Sequence, residues 1–362
     1  MALDRFDRVK SKNLFNFELN GVSEEAIMPN EDEFYETPQG QHLFEMWIRL
    51  NDVKAETEDN KGDKDYVDLY RKADDIEWKQ LGKHSIFEEA KENCSMTRVN
   101  VPTNHYGSYK VSVDVYTPNK LLGVNNNPAL IYAHGGGAVA SSSENYKPWL
   151  VQLAFLCDVV VFNVDYRLAP ETKCPNNAKD FYECVKYVSK NATEMNIDPE
   201  RISISGMSGG GYICLATMVL LAKNDETDLV KLAVPEIPMC SDYCFSDIQG
   251  MTKEEREAAL SMRKIWRLIS TDLNLQKNDP LLFPDKAREK LLMKMPPTVM
   301  ITGEFDIFLT ETTRMANKLR ASGRLLEFVV FPGVKHSSNW YPKNSSFITR
   351  QNTLKLIFQE YL

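Results

Sequence analysis

No two cysteines are spaced Cys-x-x-Cys, and the seven thiols are scattered from Cys94 to Cys244. That distribution offers neither a zinc-ligand spacing nor a disulfide framework, and an odd number fits reduced thiols, so no metal is expected. No apolar run approaches the length of a membrane span, and the opening stretch, MALDRFDRVKSKNLFNFELNG, lacks the apolar core of a secretory signal. The expectation is a cytoplasmic protein without stable membrane insertion. Positive charge is in the minority, 43 Lys and Arg against 51 Asp and Glu, for a net charge of −8. Such a surface repels nucleic acid and anionic lipid and points instead to a small or neutral partner. Internal repeats and low-complexity tracts are also missing. Histidine is scarce, with five residues in all, and that scarcity narrows the search for a catalytic base.

What the chain does have is ordinary globular composition, 43% hydrophobic and 26% charged, enough to bury a large core. Residues 1–95 are polar and charged, with helical spacing of Leu43, Phe44, Trp47, Ile48 and Leu50, and read as a helical segment placed before a sheet. The first strand is expected at Tyr109–Tyr116, which alternates with period two. Apolar runs then recur at Ala129–Ala133, Val159–Val164, Ile202–Ser205, Leu232–Val234, Thr298–Ile301 and Leu326–Phe331, separated by helical stretches. Short runs buried on both faces and alternating with helices indicate an α/β fold, a mostly parallel sheet covered on both sides. Residues 96–362 form this unit. An insertion at about 239–295 interrupts the rhythm, and with residues 1–95 it is expected to cap the carboxyl edge of the sheet, where open α/β sheets bind ligands. Trp47, Trp266 and Met262 would suit an apolar acyl or aryl group, but a Trp at helical spacing is more often core than pocket, and none of them is assigned to the site.

Gly206-Met207-Ser208-Gly209-Gly210 fits G-x-S-x-G at the end of one strand and the start of a helix. A strand-to-helix turn this sharp strains the serine and brings backbone close, so small residues are needed two positions to either side. The hydroxyl then stands above the sheet at a helix N-terminus, where the Gly209 amide can meet a developing oxyanion. A second glycine cluster, His134-Gly135-Gly136-Gly137-Ala138, follows another strand and could supply the remaining amide donors. A serine nucleophile needs a base, and the base an orienting acid. His42 and His84 lie in the N-terminal region, His105 before the sheet, and His134 within the glycine loop, which leaves His336 past the last strand. For the acid, Glu304 and Asp306 compete. Either way the order is serine, acid, histidine, as in α/β-hydrolases.

With Asp165-Tyr-Arg-Leu-Ala-Pro-Glu171, Pro296-Pro-Thr298 and Gly333-Val-Lys-His336 added to these motifs, the chain from about Met96 onward resembles the hormone-sensitive-lipase branch of the α/β-hydrolases, a group of carboxylesterases and arylacetamide-deacetylase-like enzymes. The resemblance implies an α/β-hydrolase fold with a helical cap and a serine esterase that needs no cofactor. Its partner would be a small or medium apolar ester, and either a monomer or a homodimer is allowed. It selects Asp306 as the acid beside Ser208 and His336, and Gly135, Gly136 and Gly209 as oxyanion donors. Met207 and Gly209 stand where the branch commonly has Asp and Ala. The same fold also carries ligand receptors, lactonases, amidases and dehydratases, which share most of these motifs.

Overall fold

Runs too apolar to face water on either side become the central strands of the fold. The computed structural model describes residues 63–103, 109–242, 262–342 and 344–362. Eight strands, β1 (Cys94–Pro102), β2 (Lys110–Pro118), β3 (Asn127–Ala133), β4 (Val160–Asp165), β5 (Ile197–Met207), β6 (Leu232–Glu236), β7 (Thr298–Phe305) and β8 (Leu325–Lys335), form one sheet. Its order is β1-β2-β4-β3-β5-β6-β7-β8. From β4 to β8 neighbours are parallel, with Ala129–Ala133 of β3 in register with Val160–Val164 on one side and Ile202–Gly206 on the other. At the opposite edge β1 and β2 pair antiparallel, and so do β2 and β4.

The sheet begins earlier than the sequence suggests, at Cys94 rather than Tyr109. β1 is an edge strand with Thr97 and Arg98 in solvent and Val101 as its one buried position, so it carries little apolar alternation to read.

Five long helices follow the strands: α2 (Ser143–Cys157), α3 (Asn176–Lys190), α4 (Gly209–Lys223), α6 (Leu309–Ala321) and α7 (Ser345–Tyr361), with α5 denoting helical residues 262–269. Trp149 and Leu150 of α2 share one core with Phe347, Leu354 and Ile357 of α7. Phe181, Ile213 and Met315, from α3, α4 and α6, fill the core on the other face. Helix α4 is buried along almost its whole length, which explains why it is apolar all round.

Before the sheet runs α1 (Asp63–Leu81). Its first turn, Tyr66 and Val67, belongs to one core, and its end, Trp78 and Leu81, to the other. The helix therefore crosses the sheet from layer to layer. Trp78 sits edge-on to Trp149 at 4.9 Å. Lys264 of α5 forms an ion pair with Asp63 and lies over the Tyr66 ring, joining α5 to α1. Trp266 meets Tyr212 and Phe283 edge-on at 5.2 and 4.9 Å, in the core. The helical stretch at Leu43–Leu50, His42, His105, Cys244 and the start of the insertion helix lie outside the described residues. Among the described residues no helix is long and apolar enough to cross a membrane, and the six cysteines are free.

Candidate active site

The loop after β3 and the turn after β5 emerge side by side, because β3 and β5 are neighbours and their helices depart to opposite faces. A crevice opens at such a switch point. At the β5–α4 turn Ser208 adopts φ 56° and ψ −114°, a region that costs a non-glycine residue about 1–3 kcal/mol. The surroundings hold it there: the Ser208 amide donates to the Glu236 carbonyl at 2.9 Å, and its own carbonyl accepts from Tyr212 at 3.0 Å and Met239 at 3.3 Å. Glycine is obligatory on both sides. A Cβ on Gly206 would lie 2.3 Å from the Gly210 carbonyl oxygen, and one on Gly210 would lie 2.0 Å from that of Ala133.

The Ser208 side chain meets His336, with 3.0 Å between Oγ and Nε2. On the far side of the ring, Nδ1 lies 3.0 and 2.9 Å from the two oxygens of Asp306. With the proton on Nδ1 donated to that carboxylate, Nε2 is left to accept from the serine hydroxyl. Asp306 is fixed in turn by the Phe308 amide, which donates to Oδ1 at 2.7 Å. The Phe308 ring stands edge-on to His336 at 4.8 Å. Glu304, the competing carboxylate, is turned away: it is exposed and accepts from the Gly333 amide at 2.9 Å. Among the remaining described histidines, His84 caps a short turn by accepting from the Ile86 amide.

The glycine loop is built from left-handed backbone, with φ of 90° at Gly136, 62° at Gly137, 56° at Ala138 and 72° at Ser141. Its ends are held by the Asp165–Glu171 segment. The Tyr166 hydroxyl donates to the His134 carbonyl at 2.7 Å, the Ala169 amide to the Ala138 carbonyl at 2.9 Å, and the Ser143 amide to Asp165 at 3.0 Å. His134 is stacked on Tyr166 at 4.3 Å, and burial lowers its pKa, so it serves the loop as a neutral ring. Of the three glycines expected to offer amides, Gly209 abuts the loop at Gly137 and Ala138, while Gly136 lies against Ala140. A Cβ on Gly209 would meet Ala138 N at 2.5 Å and Gly137 N at 2.6 Å. Gly135 packs instead against the Tyr146 hydroxyl, which would lie 2.4 Å from a Cβ at that position. Ile265 of α5 and Tyr70 of α1 roof the loop, 3.2 and 3.4 Å from the Cβ position of Gly137.

A protein family described as the alpha/beta hydrolase fold matches residues 130–339, from β3 to the turn after His336. The chain belongs to the α/β-hydrolase family. The arylesterase of Saccharolobus solfataricus is 26% identical to this α/β-hydrolase over 284 residues, 72% of this chain and 85% of the relative. Carboxylesterase NlhH of Mycobacterium tuberculosis is 28% identical over 243 residues, 64% of this chain and 72% of the relative. Among solved structures, a hyperthermophilic esterase from the archaeon Pyrobaculum calidifontis is similar at 25% identity with a TM-score of 0.69, covering 81% of this chain and 93% of that one. These likenesses put the α/β-hydrolase in the hormone-sensitive-lipase-like carboxylesterase branch. Met207, its departure beside the serine, is buried and receives the Tyr146 hydroxyl on its sulfur at 3.9 Å. No cluster of three or more metal-ligating side chains occurs among the described residues.

Sequence reasoning missed two contributors to the site. Glu236 holds the serine amide through its carbonyl while its carboxylate is locked by Arg350 at 2.7 and 2.8 Å. Arg71 of α1 reaches the glycine loop. Neither lies in a motif, and each reads in the sequence as a surface charge.

Proposed function

We propose that this α/β-hydrolase cleaves carboxylic esters through an acyl-enzyme on Ser208. The observation that carries the reading is the continuous chain Ser208 Oγ, His336, Asp306, with every link at 3.0 Å or less. Ser208 attacks the carbonyl carbon and its proton passes to His336 Nε2. The imidazolium that forms is stabilised and kept in orientation by Asp306. His336 returns the proton to the leaving alcohol, and water then repeats the sequence on the acyl-enzyme.

The tetrahedral oxyanion is received by backbone amides, each worth about 10²–10³ in kcat where such donors have been removed. We assign two of these amides to Gly136 and Gly209. Gly137 is better placed than Gly135 to supply the third amide, because it lies against the elbow while Gly135 packs against the Tyr146 hydroxyl. Residues 63–81 and 262–269 act as the cap over this site, the role expected of the N-terminal segment and the insertion. An apolar ester of small or medium size suits the side chains around the site, Tyr70, Ile265 and Phe308. Water-exposed Phe305 and Ile307, flanking Asp306, extend that apolar rim.

The test is turnover of p-nitrophenyl acetate, butyrate and octanoate by the protein and by Ser208→Ala, with fluorophosphonate labelling of both. Turnover and labelling by the native protein alone support the reading. A folded native protein that does neither refutes it and leaves a binding role.

A further inference from the structure

We propose that Arg71, on the cap helix α1, is a positioning residue that holds the glycine loop in the shape its amides need. This rests on the acyl-enzyme reading above. The loop from Gly136 to Ser141 is left-handed at most of its positions, including Ala138 and Ser141, where side chains disfavour it. Inside the loop only short turns support that path, with Val139 and Ala140 both donating to the Gly136 carbonyl at 3.0 and 2.8 Å. A backbone in this region persists when its surroundings over-determine it.

The Arg71 guanidinium provides such an outside hold. Its Nε donates to the Val139 carbonyl at 2.8 Å and its Nη2 to the Ala169 carbonyl at 2.9 Å. Ala169 is the residue whose amide already grips the Ala138 carbonyl. One planar cation thereby ties together the loop and the segment that buttresses it. Glu171 aims the fork, accepting from Nη1 and Nη2 at 2.9 and 2.7 Å. Neutral carbonyls receiving a charged donor make stronger bonds than neutral pairs do, and only a guanidinium presents several donors in one plane. A turn further along α1, Asp75 accepts from Asn145 Nδ2 at 3.0 Å, at the start of the helix that follows the loop. Helix α1 thus grips the loop at Val139 and the start of the helix that follows it. A helix expected to shape access to the site reaches into the apparatus that stabilises the transition state.

Removing Arg71 leaves Ser208, His336 and Asp306 untouched and loosens the amides opposite them. Oxyanion donors act in the transition state more than in the ground state, so the loss falls on kcat and leaves KM unchanged. For Arg71→Met we expect kcat to drop about 10- to 100-fold with KM within about twofold, at the low side of the loss of one oxyanion donor. Arg71→Lys, which keeps charge without the fork, falls between. Glu171→Gln, which leaves the carbonyl bonds in place, stays within about threefold of the native protein.

Amide hydrogen exchange supplies a readout that does not need turnover. In Arg71→Met the peptide spanning 135–141 should exchange at least about tenfold faster, while peptides of α4 stay as protected as in the native protein. Unchanged exchange of the loop, or a KM that rises with kcat intact, overturns the proposal. Should Arg71→Met not fold, Arg71→Lys carries the same two criteria. A native protein whose Ser208 takes no fluorophosphonate sinks the acyl-enzyme reading instead, and the exchange result then stands by itself for or against the hold on the loop.

Discussion

Arg350→Met is expected to destabilise the protein by about 4–7 kcal/mol, and the reason lies in the core. Glu236 ends β6 with its side chain 2% exposed, and its partner Arg350, on α7, is 1% exposed. The pair is bidentate at 2.7 and 2.8 Å, and the guanidinium also lies 3.6 Å above the centre of the Trp340 ring. Breaking a buried pair by removing one partner costs about 3–5 kcal/mol, because the other charge is stranded. Loss of a desolvated cation over an aromatic face adds about 1–2 kcal/mol. With about 2.1 cal/mol/K of unfolding entropy per residue, a chain of this length should melt about 5–9 °C lower. The double variant Glu236→Leu/Arg350→Met strands no charge and should recover most of the loss. Thermal and urea unfolding of the two single variants and the double variant provide the assay. The reasoning is refuted if Arg350→Met melts within 1 °C of the native protein (about 1 kcal/mol), or if the double variant is no more stable than the single one. The same variant should lose activity, because Glu236 holds the Ser208 amide and Trp340 follows His336 in its loop.

Asp306→Asn should lower kcat by about 10³–10⁴ by leaving His336 in the wrong tautomer, whereas Glu304→Gln should stay within about twofold of native; p-nitrophenyl ester kinetics decide between the carboxylates. Gly209→Ala puts a methyl group 2.5–2.6 Å from the amides of Ala138 and Gly137, so the loop must move and kcat should fall about tenfold or more, while labelling of Ser208 slows in step. Burial, with Glu77 adding to it, pushes the Asp74 carboxyl from 3.8 up to about 7. The folded protein therefore keeps a proton that the unfolded chain releases across that window, and stability falls as pH rises through it. Asp74→Asn should match native stability at pH 4 and exceed it at pH 8 by up to ~4 kcal/mol; urea titrations at both pH values check this, and an equal difference at the two would contradict it.

The strands from β3 to β8 were legible because each is a continuous apolar run, and their order of appearance already implied a parallel sheet. β1 was not, since an edge strand with Thr97 and Arg98 in water carries too weak a pattern. Ser208 was legible from the glycines its turn requires, and His336 by elimination among few histidines. The two carboxylates could not be separated by position in the chain. What separates them is that Glu304 still lies within β7 and faces solvent, while the chain turns after Phe305 and delivers Asp306 to the imidazole. Arg350 and Glu236 stand 114 residues apart, and Arg71 stands 68 from Val139. A charge whose meaning lies in such a distant partner looks, in sequence, like any solvated one.

The hydrogen bond between Ser208 and His336 joins residues 128 positions apart, and that between His336 and Asp306 another 30. Contacts of that separation are late to form, since the chain must surrender loop entropy before they reward it. Helices such as α4 can appear early, and the site cannot. During refolding from denaturant, helical circular dichroism should therefore return ahead of the capacity to react with a fluorophosphonate. Activity in this protein is a reporter of completed topology, and a population that regains its spectrum without regaining reactivity has secondary structure but has not yet closed the loops that bring Ser208, His336 and Asp306 together.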